Sequence, residues 1–381
     1  MNPKLKILTI YYKHRRGGFC KRFRLKIEAC LEAGWQVHYI AVEPFPYTHE
    51  NLIPHILPCP FKKHSGLMFW AWFFTTAPLF ALVLGLRHKF HFISAATPVY
   101  AWISGPAKWL GKSPMVTLLW TKPQFSTEAH DDYRSLNKLE YALERWGVQW
   151  SDRMIANSEA CRRAWIEQYR IDPEKIAMLP NHAEAPSFNK EEQREKLIRE
   201  FKLADDAFII ASTSIFEAHK NLEFLIAAFF HVKSSKAVLL LIGAGEQLSH
   251  LKKVARALGV TERVVFTGWR EDARTLLQGS DLFVFPSLRE GMSESLLEAT
   301  TCKVPCLVSA IPENREVIRN PEQHFSPHET GTLIQKIDRC IQDENFYNAL
   351  LEQTETDGRR YIFDWGKRWM ETIRELTSGK P

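Results

Sequence analysis

From end to end the chain alternates short runs of consecutive apolar residues with longer stretches whose apolar positions recur every third or fourth residue. Runs of the first kind suit strands buried on both faces, and stretches of the second kind suit the amphipathic helices that cover them. A parallel sheet wrapped by helices is therefore expected. The runs predict strands over Lys6–Tyr11, Val37–Val42, Phe90–Ser94, Met115–Trp120 and Met154–Ala156. A polar, charged stretch from Asn189 to Lys202 breaks the alternation. A second set follows it, over Phe208–Ser212, Ala237–Ile242, Arg263–Phe266, Leu282–Phe285 and Cys306–Ser309. Boundary residues agree with this phasing: Ser158 and Asp172-Pro173 stand where helices should start, and Gly34 and Gly259 where they should end. The fold class read from the pattern is α/β, with two Rossmann-like, doubly wound domains over residues 1–185 and 186–360. Residues 361–381 read as a C-terminal helix able to return to the first domain.

Composition narrows the picture. With 381 residues, 45% hydrophobic and 25% charged, the chain can bury two cores, which excludes a disordered or collagen-like protein. Residues 1–150 hold 19 Lys+Arg and 9 Asp+Glu, so they carry +10, and the rest of the chain, with 31 and 35, carries −4. Such asymmetry directs the first domain toward an anionic surface, membrane lipid or nucleic acid. Seven cysteines without a CxxC pair read as reduced thiols, and the apolar run before a basic cluster at the N-terminus reverses a signal peptide's order. A cytoplasmic protein is expected. Ser65–Leu86 is a stretch of 22 uncharged residues between Lys62-Lys63 and Arg87, long enough to span a bilayer but interrupted by Pro78. It reads as a Rossmann helix whose spare apolar face, with Phe69, Trp70, Trp72 and Phe73, enters the membrane interface.

The sharpest chemistry lies in Pro286–Ala299 (PSLREGMSESLLEA), which follows a predicted strand and opens a helix. Glu290 falls in the loop, where it can face the crevice beyond the sheet's carboxyl edge, and Glu298 stands inside the helix. The amides of Gly291, Met292, Ser293, Glu294 and Ser295 form the helix N-terminus, a ready site for a diphosphate. One carboxylate can then accept from ribose hydroxyls and the other can meet a sugar. The same letters also fit a solvated helix start. Gly17-Gly18 follow the first strand and a basic loop, so their backbone can approach a phosphate or a sugar ring; a plain strand-to-helix turn explains them too. Lys220 opens the helix after Phe208–Ser212, where an ammonium can neutralise a leaving diphosphate. Gly243 and Gly245 end a strand at the crevice side, where nucleotide contact and a plain tight turn are equally open, with Glu246 as a cap for the next helix, and Trp269 after Gly268 fits a buried structural tryptophan.

The Pro286–Ala299 segment resembles the Glu-x7-Glu motif of the retaining glycosyltransferases of family 4, the group 1 glycosyl transferases. Further motifs match in the family's order: Gly17-Gly18-Phe19, the segment Ser151–Glu159, Ile171–Ile176, Leu179-Pro180-Asn181, Lys220-Asn221, Gly243–Glu246 and Phe266-Thr267-Gly268. The resemblance implies the GT-B fold, with two Rossmann-like domains facing each other across a cleft. It further implies a nucleotide-diphospho sugar donor in the second domain, with the backbone at Gly268 meeting the base and Trp269 able to cover its face, and an acceptor in the first. Glu290 would orient the donor sugar, Lys220 and the helix amides would take the diphosphate, and front-face attack would retain configuration. Neither metal nor cofactor is implied. Two departures stand out. Ser214 and Ile215 occupy positions where similar enzymes place an arginine. Trp120-Thr121-Lys122 stands where family members carry a histidine, so either another histidine such as His130 replaces it or the donor sugar is held differently. Asp131-Asp132 reads as a solvated helix start rather than a metal pair.

The function expected is therefore transfer of a sugar to a lipid-linked or cell-surface glycan, with peripheral contact at the inner membrane face. A nucleotide-sugar epimerase, or a catalytically silent partner in polysaccharide assembly, is the alternative. Nucleic-acid binding accounts for the basic half but not for Glu290 and Glu298, so no nucleic-acid partner is expected.

Overall fold

The computed structural model describes residues 5–14, 17–123, 134–185 and 189–378. His130, Asp131 and Asp132 lie outside the described residues. The chain divides into two units, one running to Pro180 and resuming at Asp364, the other covering Asn181–Phe363.

In the first unit β1 (Lys6–Ile10), α1 (Gly18–Glu32), β2 (Gln36–Ala41) and β3 (Leu52–Ile56) lead into α2 (Leu67–Arg87), β4 (Phe92–Ala95), α3 (Pro98–Gly111) and β5 (Met115–Leu119). Then come α4 (Arg134–Trp150), β6 (Arg153–Ala156), α5 (Glu159–Tyr169) and β7 (Ile176–Met178). The strands form one parallel sheet in the order β3-β2-β1-β4-β5-β6-β7.

The second unit holds α6 (Lys190–Phe201), β8 (Phe208–Thr213), α7 (Leu222–Phe230), β9 (Ala237–Ile242), α8 (Leu248–Ala257), β10 (Val264–Gly268), α9 (Ala273–Gln278) and β11 (Leu282–Phe285). It continues through α10 (Glu294–Thr301), β12 (Cys306–Ser309), α11 (Pro312–Val317), β13 (His324–Phe325), α12 (Thr330–Gln342) and α13 (Glu344–Arg359). Its parallel sheet runs β10-β9-β8-β11-β12-β13. The last helix, α14 (Trp365–Ser378), packs on α1 of the first unit, burying Trp365 and Trp369 as a stacked pair with Arg22 over Trp365.

Every strand expected from the apolar runs is present. Three that the runs did not announce, β3, β7 and β13, are each outermost in their sheet. An edge strand buries less of its surface: β3 alternates buried and open positions and contains Pro54, and β7 and β13 have three and two residues. Caps follow the expected chemistry. Ser158 Oγ accepts from Cys161 N, Asp172 holds Glu174 N, and Gly34 and Gly259 take positive φ just past their helices. Glu246 does not cap α8, whose N-cap is Gln247 without a side-chain bond.

The apolar segment is α2, the crossover between β3 and β4, two strands of one sheet. It is long and apolar enough to cross a membrane by length and composition, with a mean hydropathy of 1.8, yet only 28% of that stretch is buried in the fold. The faces are distributed differently from the expectation. Phe69 and Phe73 point inward with Ala77, Ala81 and Leu84, recurring every third or fourth residue, while Trp70 and Trp72 are half-buried. The outward face instead carries Leu67, Met68, Leu79, Val83 and Leu86, with Leu67 and Met68 more than 70% exposed. Trp109 and Leu110 at the end of α3 are also exposed.

Lys26 is the unexpected member of the first core. It is fully buried on α1, donates to Thr9 Oγ1 (3.0 Å) and Ser94 Oγ (3.1 Å), and sits 4.1 Å from the Phe23 ring centroid. Burial lowers its pKa to about 7. Between that value and the ordinary lysine range the unfolded chain binds a proton that the folded chain does not, so stability climbs with pH across this window. Lys26→Met is expected to stabilise the first unit by roughly 1–3 kcal/mol at neutral pH. Its advantage should shrink toward pH 10, as read from denaturant unfolding at a series of pH values.

Candidate active site

A parallel sheet leaves a crevice where its winding reverses, because the loops after the two strands flanking the reversal part in opposite directions. In the second unit the reversal falls between β8 and β11. The two loops that leave it carry Lys220 and Glu290. Lys220 does not open a helix as expected: it ends a 3-10 turn, Ala218–Lys220, and α7 begins after Asn221, which takes the left-handed conformation. Its Nζ donates to Glu290 Oε1 at 2.6 Å, and both side chains are largely buried, at 16% and 9% exposure. Beside them, burial and the Lys220 charge lower the pKa of His219, so its imidazole is neutral near pH 7 and Lys220 supplies the positive charge.

The loop bearing Glu290 runs straight into α10. Ser293 caps that helix, its Oγ accepting from Leu296 N, so the helix N-terminus points out beside Glu290 with Glu294 and Ser295 in its first turn. Glu298 follows one turn later and is half-buried. Met292 turns the other way. Its side chain enters the core, Sδ accepts from Asn181 N (3.2 Å) and its carbonyl accepts from Asn181 Nδ2 (3.0 Å), so it anchors the start of the unit. Gly291 is buried between these groups.

The glycines after β9 are required by close packing. A Cβ on Gly243 would lie 1.9 Å from Ser214 O, and one on Gly245 would lie 2.5 Å from Phe216 O. They let the loop after β8 lie directly on the end of β9, where Phe216 N donates to Ala244 O (2.9 Å). Gly243 N also bonds Gly268 O, and Gly268 has positive φ with open space where a side chain would be. Trp269 beyond it is 39% exposed, more open than a core tryptophan. One feature went unread in the sequence. The buried hydroxyls of Ser212, Thr213 and Ser214 at the end of β8 have no hydrogen-bond partner among the described residues. Its signal in the sequence is the run of three hydroxyls at a strand's carboxyl end.

In the first unit the reversal lies between β1 and β4. Beyond it Gly17 takes φ 129 at the N-cap of α1, and aromatic rings gather: Tyr11 with Phe19 (4.8 Å), Phe19 with Trp120 (5.9 Å) and Tyr12 with Trp70 of α2 (5.1 Å). Trp120 Nε1 and His14 Nδ1 are buried without partners among the described residues. Trp120 stands where the resemblance implies a histidine, and His14, from the loop after β1, brings an imidazole to this edge. Among the described residues no group of three or more His, Cys, Asp or Glu side chains is placed to hold a metal ion.

Two Rossmann-like units of this build are the GT-B architecture. The Anabaena HepE crystal structure in complex with UDP superimposes with a TM-score of 0.78, covering 98% of this chain and 100% of that one at 19% identity. The model of the family described as Glycosyltransferase Family 4 matches residues 23–184, and that of Glycosyl transferases group 1 matches residues 193–357. The chain belongs to this glycosyltransferase family. Among curated relatives, UDP-Gal:alpha-D-GlcNAc-diphosphoundecaprenol alpha-1,3-galactosyltransferase of Escherichia coli is 30% identical over 228 residues, 57% of this chain and 55% of that protein. N-acetyl-alpha-D-glucosaminyl L-malate synthase of Bacillus anthracis is 27% identical over 249 residues, 62% of this chain and 64% of that protein. The chain thus spans a little over half the length of these relatives.

Removing one member of a largely buried ion pair strands the other, whereas removing both does not. Lys220→Met alone should destabilise the second unit by about 1–3 kcal/mol, and Glu290→Gln added to it should restore most of the loss. A double-mutant cycle in denaturant unfolding measures the coupling.

Proposed function

We propose that the protein is a retaining glycosyltransferase that moves a sugar from a nucleotide-diphospho sugar to a lipid-linked glycan at the inner membrane face. The observation that carries this reading is the Lys220–Glu290 pair at the β8/β11 reversal, beside the N-terminus of α10. A sugar diphosphate needs positive charge where its leaving oxygens develop negative charge and an acceptor for sugar hydroxyls one bond away, and the two loops offer one of each. On donor binding Lys220 turns from Glu290 to the diphosphate, joined by the first amides of α10 and the hydroxyls of Thr213 and Ser214. Glu290, freed, accepts from the sugar, and Glu298 accepts from the ribose. Attack on the face from which the diphosphate leaves retains configuration. The acceptor's saccharide lies along the aromatic edge of the first unit, with Trp120 Nε1 and His14 Nδ1 available to its oxygens.

Three further facts support the reading. The Escherichia coli relative's name specifies a UDP-sugar donor and a diphosphoundecaprenol-linked acceptor. HepE was crystallised with UDP. The open face of α2 supplies apolar contact and Lys62, Lys63, Arg87 and Lys89 supply charge for an anionic bilayer. The Bacillus anthracis relative, named for L-malate, favours a small soluble acceptor, and the α2 face argues against that choice here.

Thermal shift with UDP and GDP separates an enzyme from a silent partner, and product formation without an acceptor would identify an epimerase. With the donor known, Lys220→Ala should lower kcat roughly 10²–10³-fold with a smaller change in donor affinity. Glu298→Ala should instead weaken nucleotide-sugar binding by about 1–3 kcal/mol in calorimetry. Turnover within twofold for the first, or unchanged affinity for the second, removes that residue from the site.

Membrane attachment is tested separately. The protein should sediment with vesicles containing anionic phospholipid, less so as salt rises, and Leu79→Glu with Leu86→Glu should abolish sedimentation. Retention in the pellet through carbonate extraction would mean an integral span and overturn this placement of α2.

A further inference from the structure

Glu290 and Lys220 stand on irregular loops, and irregular backbone holds a reactive geometry only if something else pins it. One peptide plane does so here, the unit joining Ser287 to Leu288. Its N–H donates to the carbonyl of His219 at 2.8 Å, and its carbonyl accepts from Ser309 Oγ. Because a peptide is planar and trans, its N–H and C=O point in opposite directions, so bonds at both ends stop it from turning. His219 is the residue before Lys220, and Glu290 lies two residues past Leu288. The single proton of the Ser287 hydroxyl lies within reach of two carbonyls, that of His219 at 3.2 Å and that of Arg289, within the same loop, at 3.1 Å.

The bond from Ser309 has an enforced direction. Asn314 Nδ2, on α11, donates to both Ser309 Oγ (2.9 Å) and Ser309 O (3.1 Å). The opposite amide orientation would set the Asn314 oxygen against the Ser309 carbonyl, two acceptors without a proton between them. Ser309 therefore receives from Asn314 and has its single proton to give to the Ser287 carbonyl. Ser287, Ser309 and Asn314 are all buried to within 1% of complete exclusion, so water does not stand in for any of them.

We propose that Asn314 and Ser309 are positioning residues for the Lys220–Glu290 pair, acting through the Ser287–Leu288 peptide to hold the two loops in register. The proposal deepens the transferase reading and rests on it for its kinetic part. The directional chain is specific about substitutions. Ser309→Ala removes the donor to the peptide carbonyl. Asn314→Asp keeps the shape but presents an acceptor, which draws the Ser309 proton away from Ser287. Ser309→Thr keeps the hydroxyl and should behave as the parent chain.

The test combines amide hydrogen exchange on the full chain with steady-state kinetics against the nucleotide sugar it uses. In Ser309→Ala and Asn314→Asp, peptides covering residues 286–291 and 217–221 should exchange about tenfold faster, with α12 and α13 unchanged. The kcat should fall about tenfold with the donor KM within about twofold, since geometry is lost and charge is not. Ser309→Thr should restore both. Unchanged exchange in these two segments overturns the proposal, as does loss of stability with kcat intact, or Ser309→Thr no better than Ser309→Ala. If Asn314→Asp does not fold, Ser309→Ala, which deletes one hydroxyl, decides alone. If the parent chain transfers no sugar the enzyme reading fails, and the exchange comparison, which needs no substrate, still upholds or overturns the brace.

Discussion

Parallel strands cannot be joined by tight turns, so each must be reached by a crossover, and the winding must reverse somewhere if the chain is to extend the sheet on both sides of its first strand. That constraint shapes both units. In the second, the chain builds β9 and β10 on one flank of β8 and returns to lay β11, β12 and β13 on the other. The loops after β8 and β11 are thereby neighbours although Lys220 and Glu290 are 70 residues apart in sequence. The chemistry proposed for this protein needs a cation and a carboxylate within hydrogen-bonding distance of each other, and the reversal supplies the place.

The surrounding architecture fixes that place. Gly243 and Gly245 allow the loop after β8 to lie against β9 with no side chain between. Ser309 and Asn314 hold the loop after β11 from beneath. Met292, whose backbone amide belongs to the helix N-terminus, also ties the loop to Asn181 at the start of the unit through its sulfur and carbonyl. An ion pair in such surroundings adds little net stability, because desolvation offsets attraction. Its retention makes more sense as a poised arrangement: each charge keeps the other in place until a ligand with the opposite distribution of charge and hydroxyls takes over both.

The first unit follows the same topology with other materials. Its sheet edge gathers aromatic rings, and two buried nitrogens there lack partners among the described residues. The chain of rings passes from Tyr12 to Trp70 and so to α2, whose other face is apolar and open. Rings at a sheet edge and an apolar helix beside them suit an acceptor with a saccharide head and a lipid tail. Lys26 shows that the core beneath tolerates a buried amine between two hydroxyls, an arrangement that no periodicity announces.

By itself the sequence determined the class of fold, the strands buried on both faces, the helix caps and the fact that Glu290 and Glu298 belong to a loop and the helix after it. These are local properties: an apolar run, a capping hydroxyl and a loop-to-helix junction mark themselves within a dozen residues. Tertiary structure alone decided the rest. Edge strands β3, β7 and β13 stayed hidden because they bury too little to leave an apolar run. Which face of α2 is open could not be read from a helix apolar all round, since composition there carries no periodicity. The pairing of Lys220 with Glu290, the inward turn of Met292, the orphaned hydroxyls after β8 and the bracing of Ser287 by Ser309 and Asn314 depend on which loops the strand order makes neighbours. A hydrogen bond or a steric contact between residues tens of positions apart leaves no mark in either segment, so only the folded chain displays it.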